Sequence, residues 1–404
     1  MVKRIKQAKN HNSITNILLG SCVSLSLTIV GSIPLLSTTV GANISEATIA
    51  QQSEEKTQDP TNVAAEKAFD EAKQLYQEGT AESLSQAIAK WEEALLLFRK
   101  TGNLSREAAT LHNVGRVYSD LGEKQTALNY YNQALPLRRQ VGDRGGEATT
   151  LHNVGRVYSY LGKKQTALNY YNQALPLRRQ VGDRGGEAST LTGIGLVYSN
   201  LGEKEKALSL YNQALPLSKM VGDRRGEATT LNNIGLVYSD LGENDKAILF
   251  YNQTLVLDRN LGNRRGEAIT LNNIGLVYKN LGEKEKALSF YNQSLHLSEI
   301  VGDRLGEATT LNNIGNLYNI SGEKEKALSF YNQALLLRQQ VGYHCGEAIN
   351  LYYIGSIYID LEENQKALSF FNQALPIFQE VGDYSWQAHT LDYIGIVYSN
   401  LIVT

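Results

Sequence analysis

Residues 110–149 read TLHNVGRVYSDLGEKQTALNYYNQALPLRRQVGDRGGEAT, and the stretch that follows repeats them almost letter for letter. From Thr110 to Ala148 the two copies differ only at Asp120/Tyr160 and Glu123/Lys163. The register then holds down the chain: Gly115 recurs at 155, 195, 235, 275, 315, 355 and 395, and Tyr118 recurs 40 residues on each time as far as Tyr398. Ala127 recurs at 167, 207, 247, 287, 327 and 367. A fixed period of this size marks a stacked-repeat architecture, in which each unit buries its apolar face against the next.

Each unit reads as two helices. Leu111, Val114, Gly115, Tyr118 and Leu121 fall at i, i+3, i+4, i+7 and i+10, one apolar stripe at helical spacing. Gly122 ends that helix, because glycine enters the left-handed conformation without steric cost. A second helix begins near Lys124 and carries Ala127, Leu128, Tyr131, Ala134 and Leu137 on its inner face. It stops before Gly142-Asp143, where Gly turns the chain and Asp can cap the next helix. Gly115 and Ala127 are the small residues at which two helices can approach closely, with Tyr118 and Tyr131 beside them. Pro136, Pro176, Pro216 and Pro376 fall inside second helices, where each should bend the helix.

The composition agrees with a copied unit. The 404 residues include 35 glycines, 6 prolines and 23 tyrosines, and 42% are hydrophobic, enough for a substantial core. The net charge is −2, and Lys3, Arg4, Lys6 and Lys9 sit in the first 42 residues without an acid. The remainder is therefore mildly acidic and has no basic stripe, which argues against nucleic acid as a partner.

The pattern Leu111-x2-Val114-Gly115-x2-Tyr118, then Ala127-x3-Tyr131-x2-Ala134, resembles the tetratricopeptide family. Leu stands where that family usually has Trp, and its usual Pro after the second helix is missing. The 40-residue unit resembles the long form found in kinesin light chain and Pins-type adaptors, and in bacterial arrays that precede a caspase-like CHAT protease domain. The resemblance implies an all-α fold, a right-handed superhelical solenoid of helix–turn–helix repeats. It implies an adaptor that binds an extended segment of another protein in its concave groove, or the sensor half of a CHAT-type protease system whose effector lies elsewhere.

The expected organisation is a leader over 1–42, a polar disordered linker over 43–62 and the repeat array over 63–404. Its first unit, 63–104, is divergent, with Phe69, Ala72, Leu75 and Gly79, then Ala87, Trp91 and Ala94. Six full units and a seventh to 385 follow, and 386–404 is a half-unit. The basic start, the uncharged apolar run from Ile17 to Ala42 and the small residues Val40-Gly41-Ala42 read as a cleavable export signal to the periplasm or outside. Two alternatives are open: an uncleaved membrane anchor, the one way a membrane would be involved, and a lipoprotein box at Cys22, although most of the apolar run follows that cysteine. The last helix carries Leu391, Ile394, Ile396, Val397, Tyr398 and Leu401, an apolar edge expected to dock a second copy or a downstream domain.

On the first helix, Ala109, Asn113, Arg116 and Asp120 lie opposite the core stripe. By the resemblance this face lines the groove, where asparagines hold a peptide backbone, so Asn113, Asn153, Asn233, Asn273 and Asn313 are candidates. Gly193, Tyr353 and Tyr393 break that series. The alternative is that these amides bond between neighbouring helices. A second groove position reads Arg116, Arg156, Leu196, Leu236, Leu276, Asn316, Ser356 and Ile396. The three leucines, opposite the core, are expected to form an exposed apolar strip of the kind that marks an interaction site. Arg116 has Asp120 at i+4 as a local partner, whereas Arg156, with Tyr160 in that place, is left to a ligand or to Asp120 of the preceding unit.

No catalytic, cofactor or metal constellation is found. Gly193-Ile194-Gly195 precedes no strand, and Gly142-Asp143-Arg144 lacks the Lys-Ser/Thr that a phosphate loop needs. His112 and His152 have no acid or cysteine at ligand spacing, which leaves them solvated or lining the groove. Glu203 and Glu205 open an exposed helix, where they complement its dipole.

Overall fold

A computed structural model describes residues 59–403 of the chain. The leader and nearly all of the linker lie outside the described residues. Asp59 caps a helix that begins at Pro60, accepting from Thr61 N at 2.9 Å, so the last residues assigned to the linker are helical.

The described residues form seventeen α-helices. The divergent first pair is α1 (Pro60–Glu78) and α2 (Ala81–Thr101). The regular pairs are α3 (Leu104–Asp120) with α4 (Lys124–Gln140), α5 (Arg144–Tyr160) with α6 (Lys164–Gln180), α7 (Arg184–Asn200) with α8 (Lys204–Met220), and α9 (Arg224–Asp240) with α10 (Asn244–Asn260). They continue as α11 (Arg264–Asn280) with α12 (Lys284–Val301), α13 (Arg304–Ile320) with α14 (Lys324–Gln340), and α15 (His344–Asp360) with α16 (Asn364–Glu380), and α17 (Tyr384–Val403) closes the series. None of these helices is long and apolar enough to cross a membrane.

Local chemistry accounts for the ends. Gly122 and Gly142 stand at φ 89° and 72°, the left-handed conformation that an L side chain resists. Their copies do the same, with one departure: Glu362 takes φ 61° where the other units have glycine. Asp143 accepts from Gly146 N at 2.8 Å and so caps α5, and Asp183, Asp223 and Asp303 repeat the bond. The prolines do lie inside helices, yet α6, with Pro176, runs the same 17 residues as α10, which has Val256 there.

Packing explains the invariant small residues. A Cβ built on Gly115 would lie 2.9 Å from the Tyr131 ring and 3.2 Å from the Ala127 carbonyl. The glycine therefore marks the point where a first helix meets its own second helix, and the tyrosine ring lies directly over it. Tyr118 is used differently: it stacks on Tyr130, with centroids 5.4 Å apart and planes 13° from parallel. Tyr238–Phe250, Tyr278–Phe290 and Tyr318–Phe330 repeat that stack at 5.4–5.5 Å. This aromatic position on the second helix escaped the sequence reading.

The chain divides into two compact bodies, one ending at Val197 and one beginning at Tyr198. In the first, Phe69, Trp91 and Phe98 of the divergent pair are buried with Val114 and Val117 of α3. In the second, the largest apolar cluster joins Tyr331, Ile354, Ile357, Phe371, Phe378 and Trp386. Within each body successive first helices touch one another directly, α3 with α5 in one, α9 with α11 and α11 with α13 in the other. First helices thus make the closely spaced face of each stack. On α17, Leu391, Ile396, Tyr398 and Ile402 are exposed and Val397 is buried.

Candidate functional site

The first-helix face of the body ending at Val197 is polar and crowded. His112 is buried and packs against the Tyr131 ring at 5.4 Å. Its Nδ1 lies 3.0 Å from Thr150 Oγ1, and its Nε2 lies 3.3 Å from Asn153 Nδ2. The amide can only donate to Nε2, so Nδ1 carries the proton and donates to the threonine, which in turn donates to the Gly146 carbonyl at 2.9 Å. Burial, aided by Arg116, Arg138, Arg156 and Arg178, holds His112 well below the usual imidazole range. His152 repeats the arrangement, 5.3 Å from the Tyr171 ring and 3.2 Å from Thr190, with its pKa down to about 3 from burial and the Arg156 and Arg178 charges. Of the two roles expected for these histidines, solvated or lining the groove, the solvated one does not hold for buried His112, and both side chains are members of inter-helix bonding chains, with His152 partly exposed. Among the described residues no three His, Cys, Asp or Glu side chains are grouped to hold a metal.

Arg116 does not take Asp120 as its partner. Its guanidinium lies 4.2 Å from the centre of the Tyr76 ring, on α1 of the divergent pair. Asp120 instead accepts from Tyr76 Oη at 2.6 Å and faces Arg156 Nη2 at 4.0 Å, the cross-unit pairing held open from sequence. Burial, countered by Arg116 and reinforced by Asp120, raises the Tyr76 pKa to about 12. Lys124 donates to the Ser119 carbonyl and lies 4.8 Å above the Tyr160 ring. Burial and the neighbouring Arg156 charge lower its pKa. Gly193 is where the asparagine series breaks, and the Tyr171 ring occupies the space there: a Cβ would lie 2.9 Å from its phenol carbon. Leu196, in the same body, is partly exposed.

The body beginning at Tyr198 presents amides and leucines. Asn273 Nδ2 donates to Asn232 Oδ1 at 3.1 Å, and Asn313 Nδ2 donates to Asn272 Oδ1 at 2.9 Å. Asn153, Asn273 and Asn313 thus spend a donor on the neighbouring first helix, and Asn153 and Asn313 are buried. Asn113 and Asn233 are partly exposed, as are Leu236 and Leu276. Tyr353, at the asparagine position, is buried and stacked on Tyr331 at 5.4 Å. Lys279 escaped the sequence reading: it is buried, donates to Asn316 at 3.3 Å, and burial lowers its pKa to about 8.

Tyr76 was missed because the divergent pair has no place in the 40-residue register. Asp120 and Tyr160 did carry a signal, as one of the two aligned positions at which those adjacent copies differ.

The tetratricopeptide repeat profile matches residues 80–140, 137–180, 146–220, 186–260, 226–300, 266–340 and 350–377. The chain belongs to the tetratricopeptide repeat family. No curated protein matches its sequence. Among solved structures, a tetratricopeptide array of this kind is similar to a Rap protein complexed with competence and sporulation factor, at TM-score 0.57, 14% identity, 80% of this chain and 98% of that one. It is also similar to aspartyl phosphate phosphatase F from Bacillus subtilis, at 0.55, 12%, 83% and 96%. A third is a signal transduction ATPase with numerous domains and a tetratricopeptide repeat sensor from Pyrococcus horikoshii, at 0.56 and 13%, where the match takes 83% of this chain and 56% of the other. Likeness at these identities establishes the fold. Tetratricopeptide repeats are in general protein-interaction scaffolds.

Proposed function

We propose that this protein is an exported, non-catalytic adaptor whose first-helix faces capture an extended segment of another protein. The observation that supports the reading best is the half-covered state of Leu236 and Leu276, apolar side chains on the face opposite the core stripe. Side chains of that kind on the closely spaced face of a stack have contact area left to give to a ligand. The neighbouring amides fit the same use: Asn273 commits one donor to the preceding helix and is itself partly exposed, as is Asn233. The Rap structure complexed with competence and sporulation factor supports ligand capture on this fold.

A photo-crosslinking residue at Leu236, compared with one at Leu249, which is 55% exposed on second helix α10, tests the adaptor. A discrete partner captured from position 236 alone is expected. Equal capture from both positions would refute a groove on the first helices. Export rests on the basic and apolar leader, and a cleaved product outside the cytoplasm is its expected signature.

A further inference from the structure

The side chains around Arg156 have more hydrogen-bond donors than acceptors. Arg116 and Arg156 each bury an Nε–H without an acceptor, and the Tyr131 hydroxyl is fully buried without a partner. Among the described residues Asp120 is the one carboxylate engaged there, and it already serves Tyr76 and Arg156. Lys124, beside Tyr160, adds a third cation. Two guanidinium groups and an ammonium against one carboxylate leave a surplus of two positive charges. Buried charge and buried donors are costly unless met. The cluster is also reachable, since the Arg156 side chain is 27% exposed and Arg116 is half-buried.

We propose that Arg116, Arg156, Lys124 and Tyr131 form a binding site for a phosphomonoester dianion. The charge matches the surplus, and three terminal oxygens meet more of the orphaned donors than the two of a carboxylate. Arginine presents a planar fork suited to such a group, and the unpaired hydroxyl of Tyr131 is a further donor. The site stands on its own as a small-anion site. That the phosphate is carried on a captured protein segment rests on the adaptor reading.

The chain supplies fold-safe variants from its own repeats. Leu occupies the Arg156 position at Leu196, Leu236 and Leu276, and Phe occupies the Tyr131 position at Phe371. Calorimetric titration of the full chain with inorganic phosphate, glutamate and a phosphoseryl peptide tests the site. Phosphate is expected to bind and glutamate to bind about tenfold more weakly. Arg156→Leu should weaken phosphate about tenfold or more, and Tyr131→Phe several-fold. Equal binding of glutamate, or phosphate affinity unchanged in Arg156→Leu, overturns the proposal. Phosphate binding that depends on Arg156, with a phosphopeptide no tighter than phosphate, upholds the site and counts against the captured segment. No binding of phosphate or phosphopeptide, with crosslinking from position 236 intact, overturns the site and leaves the adaptor reading standing.

Discussion

The body ending at Val197 and the body beginning at Tyr198 share a packing frame and differ in how they treat buried ions. In the first, Arg138 is bonded to Asp143 and Arg178 to Asp183, and each aspartate also caps the following helix. In the second, the position of Arg138 holds Asp258, which accepts from Asn263 at 2.7 Å, and then Arg338, which donates to Asn350 at 2.6 Å and to the Gly346 carbonyl at 2.7 Å. Lys279 likewise faces an amide. The first body meets these ions with opposite charges, the second with neutral dipoles. A dipole solvates an ion without neutralising it, so the ions of the second body should shift their titration and make its stability depend on pH.

The frame itself is where the largest effect is expected. A Cβ on Gly275 would lie 2.7 Å from two carbons of the Tyr291 ring. Gly275→Leu should cost about 3 kcal/mol, read in urea denaturation, and repeat coupling should confine the loss to the affected body. An unchanged midpoint would contradict the packing.

Lys279 comes next. Its folded pKa, about 8, lies below the ordinary lysine value, so the unfolded chain binds more protons between those two values and stability rises with pH across that interval. Lys279→Ser, the residue found at 119, 159, 199 and 239, should add about 1–2 kcal/mol at neutral pH and abolish the rise. A slope retained between pH 8 and 10 would place its origin elsewhere.

Asp258 has the opposite sign. Burial raises its carboxyl to about 6 against the hydrogen bond from Asn263, so the folded chain holds the proton longer and stability falls as pH rises from about 4 to 6. Asp258→Ser, as at Ser218 and Ser298, should flatten that fall and gain about 1 kcal/mol at pH 7 once solvent screening is allowed for. The smallest change is Glu362→Gly, which relieves a left-handed non-glycine residue and should gain about 0.5–1 kcal/mol in a thermal melt.

Most of the fold was legible from one 40-residue stretch. Its glycines, apolar stripes and capping aspartates act within a few residues of their own position, and period alone revealed the stacking. Legibility of the face was partial. Arg156 facing Asp120 was foreseen as one of two partners, while Arg116 stacking on Tyr76 was not, because Tyr76 belongs to the divergent pair.

The sequence by itself therefore determined the helix pairs, their turns and the small residues at which helices touch, since these follow from local propensity and strict repetition. Only the tertiary structure decided which polar side chains of the face are spent on neighbours. His112 and Asn153, Asn232 and Asn273, and Tyr76 and Asp120 lie 41, 41 and 44 residues apart in the chain. They become bonding partners only when successive first helices are brought side by side, and that proximity comes from packing, which no local pattern records.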